Sequence, residues 1–201
     1  MWSIVNAAGW PIWMLILASI VALAIIFERA FSLRASNILP DGLLRHTLDE
    51  YRQRGASSEL IHRLNAHSPL GRVLSAGLRN EKCPRDVTKE AIEEAGRAVG
   101  HELDRFLTTL GTIAAMAPLL GLLGTVIGMI EIFGAQSPAG TNPQQLAHGI
   151  SVALYNTAFG LVVAIPSMIF YRYFRSRVDS LLIDLEQAAV RLVEAIHLNR
   201  D

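Results

Sequence analysis

The chain has 201 residues, of which 51% are hydrophobic, and its mean hydropathy of +0.34 is higher than an ordinary water-soluble domain requires. Its 18 basic and 18 acidic residues cancel, so no net charge directs it to nucleic acid or to an anionic surface. The single cysteine, Cys83, excludes an internal disulfide. This composition predicts a protein whose partner is the lipid bilayer.

Three apolar runs are each long enough to cross the hydrocarbon core of a bilayer. They cover residues 10–27, 110–133 and 150–171. For the first run a cleavable signal peptide is the alternative, but no Lys or Arg precedes the run, and Glu28 and Arg29 follow it without a convincing cleavage site. The sequence therefore predicts an all-α integral membrane protein with three transmembrane helices.

The distribution of positive charge predicts the orientation of these spans. Thirteen of the Lys and Arg residues lie between Arg29 and Arg105, and the other five lie from Arg172 onward. Cytoplasmic segments retain positive charge, so the N-terminus is expected outside and the C-terminus inside. The predicted segments are 1–27 (external N-terminus and first span), 28–109 (cytoplasmic helical domain), 110–133 (second span), 134–149 (external loop), 150–171 (third span) and 172–201 (cytoplasmic C-terminal helix).

Long cytoplasmic helical extensions are predicted for the second and third spans. Residues 86–106 are rich in helix formers and should run straight into the second span. Shorter helices are expected near residues 43–53 and 57–66, separated by Gly55 and Pro69. The C-terminal extension has the pattern of an amphipathic helix. Its apolar stripe is Leu181, Leu182, Leu185, Ala189, Leu192, Val193 and Ile196, with Asp184, Glu186, Arg191 and Glu194 opposite.

The sequence lacks the motifs of catalysis. Its six histidines are scattered without metal-ligand spacing, and it has neither a phosphate-binding loop nor a nucleophile elbow. We therefore predict that the protein is not an enzyme and that it uses no cofactor.

Small residues recur at three- and four-residue steps on one face of the second span and one face of the third. Such faces let helix backbones approach closely, because lipid provides no hydrophobic force between helices. In the second span they are Ala114, Ala117, Gly121, Gly124, Thr125 and Gly128, and in the third they are Gly149, Ala153, Asn156, Thr157, Gly160, Ala164 and Ser167.

Thr125, Asn156 and Thr157 lie on these faces near the middle of the membrane. Polar groups at that depth need a partner or a water-filled lumen, so these residues are candidates for the lining of a proton pathway. Alternatively, each hydroxyl bonds to the preceding turn of its own helix and the faces serve only packing. The pattern by itself leaves both interpretations open.

Glu131 is the only acidic residue inside any of the three spans. It lies six residues beyond Thr125, which at the helical rise places it about 9 Å nearer the outside. A proton relay needs ionisable groups at depth, so this chain lacks a complete one. If protons pass, a second protein must supply a carboxylate in the middle of the membrane.

Two segments resemble a known family. Residues 117–133, APLLGLLGTVIGMIEIF, and residues 149–166, GISVALYNTAFGLVVAIP, are similar to the ExbB/TolQ/MotA proton-channel family, and most similar to its ExbB and TolQ branch. The three-span layout also resembles that branch, whereas MotA-type members usually have four spans.

The resemblance implies a subunit of a motor in the bacterial inner membrane, with the external side being the periplasm. About five copies would form a ring around a dimer of single-span ExbD-like or TolR-like proteins, each bringing one membrane aspartate. Thr125 and Thr157 match the threonines that face the lumen in the family. The proton-motive force would energise a TonB-like protein, or a TolA-like protein in a TolQ-like system.

Two positions depart from the family. Relatives often carry glutamate at the position of Val152, and the residue before Thr157, often threonine, is Asn156. One hypothesis is that Glu131 forms an outer vestibule that concentrates protons. The alternative is a rim charge that reaches the interface without a role in conduction. A passive membrane scaffold is the competing function, while a self-sufficient channel is disfavoured by the missing acid.

Overall fold

The computed structural model describes residues 9–134 and 143–198. Within these ranges the chain forms eight α-helices. They are α1 (Pro11–Ser32), α2 (Ala35–Ile38), α3 (Leu43–Arg54), α4 (Ser58–His67), α5 (Pro69–Arg79), α6 (Arg85–Leu103), α7 (Leu107–Gly134) and α8 (Pro143–Leu198). The predicted external loop, 134–149, lies partly outside the described residues, and its last part already belongs to α8.

Three of the described helices, α1, α7 and the first part of α8, are long and apolar enough to cross a membrane. Large apolar side chains remain exposed on all three, as at Leu17 (64%), Ile130 (66%) and Val162 (64%). Apolar surface of this extent is unusual on a monomeric soluble protein and suits contact with lipid or other subunits. The predicted all-α class with three spans is confirmed.

The chain divides into two compact units, the first comprising Met1–Glu28 and Phe106–Tyr173. In this unit α1, α7 and the first part of α8 pack around a buried cluster of Leu15, Ala117, Val163 and Ala164. Partly buried apolar side chains pack against this cluster; they are Ile113, Leu120 and Phe159. The small alanines let the three helices share one core, since each presents little side-chain volume there.

The second unit comprises Arg29–Arg105 and Phe174–Asp201. Here α5 packs against α4, α6 and α2. The predicted amphipathic stripe of α8 lies in the core of this unit, since all its members are buried except the half-buried Leu182, whereas the four charged residues opposite are exposed. The amphipathic prediction is confirmed, and so is its continuity with the third span in the unbroken helix α8.

Serine caps and glycine determine where the short helices begin and end. α3 ends at Gly55, whose φ of 70° suits a residue without a side chain. Ser57 and Ser68 accept hydrogen bonds from the amides of Leu60 (3.2 Å) and Gly71 (3.1 Å) and so cap α4 and α5. The predicted short helices and the separators between them are therefore confirmed.

The prediction that the helix over 86–106 runs straight into the second span is wrong. α6 ends at Leu103, a turn follows, and α7 begins at Leu107. Phe106 has φ 63°, a left-handed conformation that costs a non-glycine residue about 1–2 kcal/mol. The buried Arg29 guanidinium donates to the carbonyl of Leu103 at 3.1 Å. In a continuous helix that carbonyl would accept from residue 107, so Arg29 stabilises the break.

Replacing Arg29 with methionine is expected to destabilise the second unit by about 2 kcal/mol, because a buried carbonyl loses a charged donor while the side-chain volume is largely kept. Thermal unfolding of the purified protein in detergent measures the effect. Arg45→Met is the matched control, since Arg45 is exposed on α3 and its loss should change stability by less than about 0.5 kcal/mol. Equal unfolding temperatures for the two variants would contradict this account of the break.

Candidate functional site

The backbones of α7 and α8 touch where glycines face each other. A Cβ atom added to Gly121 would lie 2.7 Å from the carbonyl oxygen of Asn156, and one added to Gly160 would lie 2.6 Å from that of Ala117. Both distances are shorter than a carbon–oxygen contact permits. The two helices therefore approach as closely as they do because neither position carries a side chain.

The remaining small residues continue this contact outward along the hairpin. Gly124 faces the side chain of Asn156, whose Cβ and Nδ2 would lie 2.8 Å from an added Cβ. Gly128 faces Ala153, with 3.1 Å between an added Cβ and the alanine methyl. Ala153 is itself buried, as is Ala164 in the core of the unit. Five of the six predicted packing residues are thus buried, and the sixth, Gly128, is half-buried against Ala153.

The hydroxyls of Thr125 and Thr157 meet across the contact of α7 and α8, with 2.5 Å between their Oγ1 atoms. The Thr125 hydroxyl is also 3.2 Å from the carbonyl oxygens of Gly121 and Ala153, and the Thr157 hydroxyl is 3.2 Å from that of Gly121. Both threonines are half-buried. Thr125 therefore contacts both its own preceding turn and the neighbouring helix, and a role of the pair in a proton pathway stays a prediction.

Two hydroxyls carry two protons, so at most two of these four contacts are donated at one time. In one arrangement Thr157 donates to Thr125, which donates to the Ala153 carbonyl. In the other, Thr125 donates to Thr157, which donates to the Gly121 carbonyl. Both arrangements satisfy both hydroxyls. The pair can therefore reverse its direction of donation without breaking the helix contact.

Asn156 differs from the two threonines in its exposure. Only 1% of its surface is accessible, and its side chain lies against Gly124 inside the unit. The structure therefore groups Thr125 with Thr157 in a half-buried pair and places Asn156 deeper, between α7 and α8.

Glu131 is exposed and lines a cavity of about 250 Å³ at the end of the unit where α1 begins and α7 ends. The cavity extends inward to Asn156, and the two threonines do not contribute to its wall. Val152 lies on this same wall. The described walls are formed by residues Gly9, Trp10, Pro11, Ile127, Gly128, Glu131, Ile132, His148, Gly149, Val152, Ala153 and Asn156.

Sequence reasoning missed His148, which lines the cavity together with Glu131. The spacing of the sequence could have placed His148 with the other wall residues. Residues 148, 152 and 156 follow one another at four-residue steps and so share a face of α8. The described residues hold no group of three or more His, Cys, Asp or Glu side chains suited to a metal ion.

A sequence model of the MotA/TolQ/ExbB proton channel family matches residues 65–187, which is more than half of the chain. The chain belongs to this family. Among curated relatives, the putative biopolymer transport protein ExbB-like 3 of Synechocystis is 36% identical over 161 residues, covering 79% of this chain and 77% of the relative. The biopolymer transport protein ExbB of Salmonella typhimurium is 31% identical over 192 residues, covering 89% and 77%.

Membership in the family has two direct consequences. The family consists of proton-channel and transport subunits, so this member is a multi-pass membrane protein and not an enzyme. The matched residues include all of α7 and the part of α8 that carries Thr157, so the hydroxyl pair lies inside the family region.

Proposed function

We propose that the protein is an ExbB-like subunit of a proton-driven motor in the bacterial inner membrane. Several copies, five in our proposal, surround a dimer of single-span ExbD-like proteins. The N-terminus and the α7–α8 connection face the periplasm, while residues 28–109 and 172–201 lie in the cytoplasm, in accord with the distribution of Lys and Arg. The ring uses the proton-motive force to energise a TonB-like protein for transport at the outer membrane.

The observation that carries this proposal is the half-buried hydroxyl pair at mid-span in a chain without a mid-span carboxylate. Thr125 and Thr157 can donate and accept hydrogen bonds in either direction, but a hydroxyl does not hold a transferable proton at neutral pH as a carboxylate does. The pair is thus suited to face a carboxylate that another protein brings. A single-span partner with one membrane aspartate meets this requirement.

In the proposed cycle the partner's aspartate takes up a proton on the periplasmic side and becomes neutral. A neutral carboxyl group costs far less to move through apolar surroundings than a charged one. It passes the threonines, which exchange hydrogen bonds with it, and it loses the proton on the cytoplasmic side. One charge that crosses 100 mV releases about 2.3 kcal/mol, so a few protons suffice for mechanical work on the TonB-like protein.

The names of the relatives support an ExbB-like client over a TolQ-like one. The two relatives described above, from Synechocystis and Salmonella typhimurium, are both named as biopolymer transport proteins of the ExbB type. A TolA-like client, or a scaffold that conducts nothing, remains a distinct outcome of the experiment that follows.

Co-expression of this chain with a candidate partner, a single-span protein whose span carries one aspartate, tests the proposal. We expect the two to co-purify and native mass spectrometry to count five copies of this chain with two of the partner. In cells, client energisation should stop when an uncoupler collapses the proton gradient. Energisation that persists under the uncoupler would contradict the motor and favour the scaffold.

A further inference from the structure

The cavity that Glu131 lines lies beside the outer part of the contact between α7 and α8. Below it, Gly121 and Gly160 bring the backbones of α7 and α8 together. Further out the two helices stay in contact, at Gly128 with Ala153 and at Gly149 with Ile132. A space of about 250 Å³ lies against this outer part, next to the start of α1. A space of this size holds several waters, each of which occupies about 30 Å³ in the liquid.

The polar groups of the cavity are arranged by depth. Glu131 on α7 and His148 on α8 are exposed at the outer part, and Asn156 lies at the inner end. At the start of α1 the wall residues are Gly9, Trp10 and Pro11, of which Pro11 is the first residue of the helix, and none of them carries a titratable side chain. Glu131 and His148 are therefore the titratable groups that the described walls provide.

Carboxylate and imidazole are the side chains that take up and release protons between acidic and neutral pH. The inner end of the cavity is one residue from the hydroxyl pair, since Asn156 precedes Thr157 and Ala153, another wall residue, accepts from Thr125 through its carbonyl. Water in the cavity would thus reach the neighbourhood of the pair from the outer side. A carboxylate at the mouth raises the local concentration of cations, hydronium included.

We propose that this cavity is a proton inlet within each subunit, in which Glu131 and His148 collect protons at the mouth and Asn156 forms the inner end. The inlet rests on the proposed function for its direction and purpose. In this proposal protons are collected by the cavity as a whole and not by one position. A carboxylate on either the α7 wall or the α8 wall should therefore be able to collect them. Val152 offers the opposite wall, because it lies on α8 and lines the same space as Glu131.

Thiol labelling tests the cavity without reference to motor activity. Cys83 is the only cysteine, so Cys83→Ser supplies a background in which Val152→Cys is the single thiol. We expect that thiol to react from outside with a membrane-impermeant methanethiosulfonate. Relative to the ratio of their rates with a small free thiol in solution, the cationic trimethylammonium-ethyl reagent should be favoured over the anionic sulfonatoethyl reagent by about tenfold. Glu131→Gln should remove most of this excess preference.

The matched control is Leu154→Cys in the same background. Leu154 is two residues away on α8 but lies outside the cavity wall and is 56% exposed on another face of the helix. Because such a surface faces lipid or a neighbouring subunit, this thiol should react much more slowly with either reagent than the thiol of Val152→Cys, and Glu131→Gln should not change that. The inlet would be overturned if the Val152→Cys thiol does not react. It would also be overturned if the preference of this thiol for the cationic reagent is the same with and without Glu131→Gln.

Proton-coupled activity of the complex with its single-span partner tests the collecting role. Glu131→Gln should lower the rate by about tenfold, and Glu131→Gln with His148→Gln should lower it further. Adding Val152→Glu to Glu131→Gln should restore the rate to within about threefold of the original, because the carboxylate returns to the same cavity. The yield of monodisperse protein in detergent and the native mass of the complex report whether these variants fold and assemble.

The outcomes separate this inference from the function on which it rests. An active original complex whose Glu131→Gln variant is equally active would overturn the inlet alone. An original complex without proton-coupled activity would overturn the proposed function and, with it, the proton role of the cavity. Loss in Glu131→Gln without restoration by Val152→Glu would show that the position of Glu131 matters, and would refute the shared-cavity assignment.

Discussion

Replacing Gly160 with leucine is expected to eliminate the folded hairpin of α7 and α8. Even a single Cβ at this position would lie 2.6 Å from the Ala117 carbonyl oxygen and 3.2 Å from Cα of Gly121. These are backbone atoms that no rotamer change can move away. Gly160→Ala should cost at least about 3 kcal/mol, and the larger leucine side chain should leave little folded protein. The yield of detergent-extracted, monodisperse protein and its thermal unfolding measure both effects.

Gly96→Ala is the control for this prediction. Gly96 lies inside α6, and an added Cβ there would meet nothing within 4 Å. Alanine in place of a helical glycine should leave the yield unchanged and raise stability by up to about 1 kcal/mol. Similar losses for Gly96→Ala and Gly160→Ala would contradict the view that close backbone approach of α7 and α8 makes glycine necessary.

Replacing Thr157 with valine is expected to lower proton-coupled activity at least tenfold while the ring still assembles. Valine keeps the shape of threonine but removes the hydroxyl that contacts Thr125 and the Gly121 carbonyl. A hydrogen bond between membrane helices is worth about 0.6 kcal/mol on average, so folding should tolerate its loss. Proton-coupled activity should not tolerate it, because both hydrogen-bond arrangements of the pair require the Thr157 hydroxyl. Client energisation and native mass of the complex give the two readouts.

Two further variants show whether the hydroxyl itself is responsible. Thr157→Ser keeps the hydroxyl and should retain most activity. Thr112→Val removes a hydroxyl in α7 that donates to the Thr108 carbonyl of its own helix at 2.9 Å, and it should have little effect. The hydroxyl pair would be excluded from the proton pathway if Thr157→Val keeps full activity. It would also be excluded if Thr112→Val and Thr157→Val lose activity equally.

Much of the fold could be predicted from the sequence because the lipid bilayer imposes simple requirements. A helix that crosses lipid must form all its backbone hydrogen bonds within itself and must be apolar for about 20 residues. The sequences of α1, α7 and α8 show this pattern directly. The apolar stripe from Leu181 to Ile196 could also be predicted, since the buried residues of α8 recur with the helical period. The small faces around Gly121 and Gly160 were predictable for the same reason.

Contacts between distant segments were not predictable. The break before α7 depends on Arg29, which is 74 residues from the carbonyl it contacts, so the helix formers of 86–106 gave no sign of it. The pairing of Thr125 with Thr157 depends on the register between α7 and α8. If α8 were shifted by one helical turn along α7, the two hydroxyls would lie about 5 Å further apart. The pattern of small residues along each helix would be the same in both registers.

By itself, then, the sequence determined the helical class and the three spans, and it showed that the spans lack a mid-membrane carboxylate. These properties follow from composition and period, which act locally along the chain. Only the tertiary structure decided that the two threonines meet, that Asn156 is buried, and that Glu131, His148 and Val152 line one cavity. Those features depend on how closely three separate helices approach, and side-chain volume at each contact sets that distance.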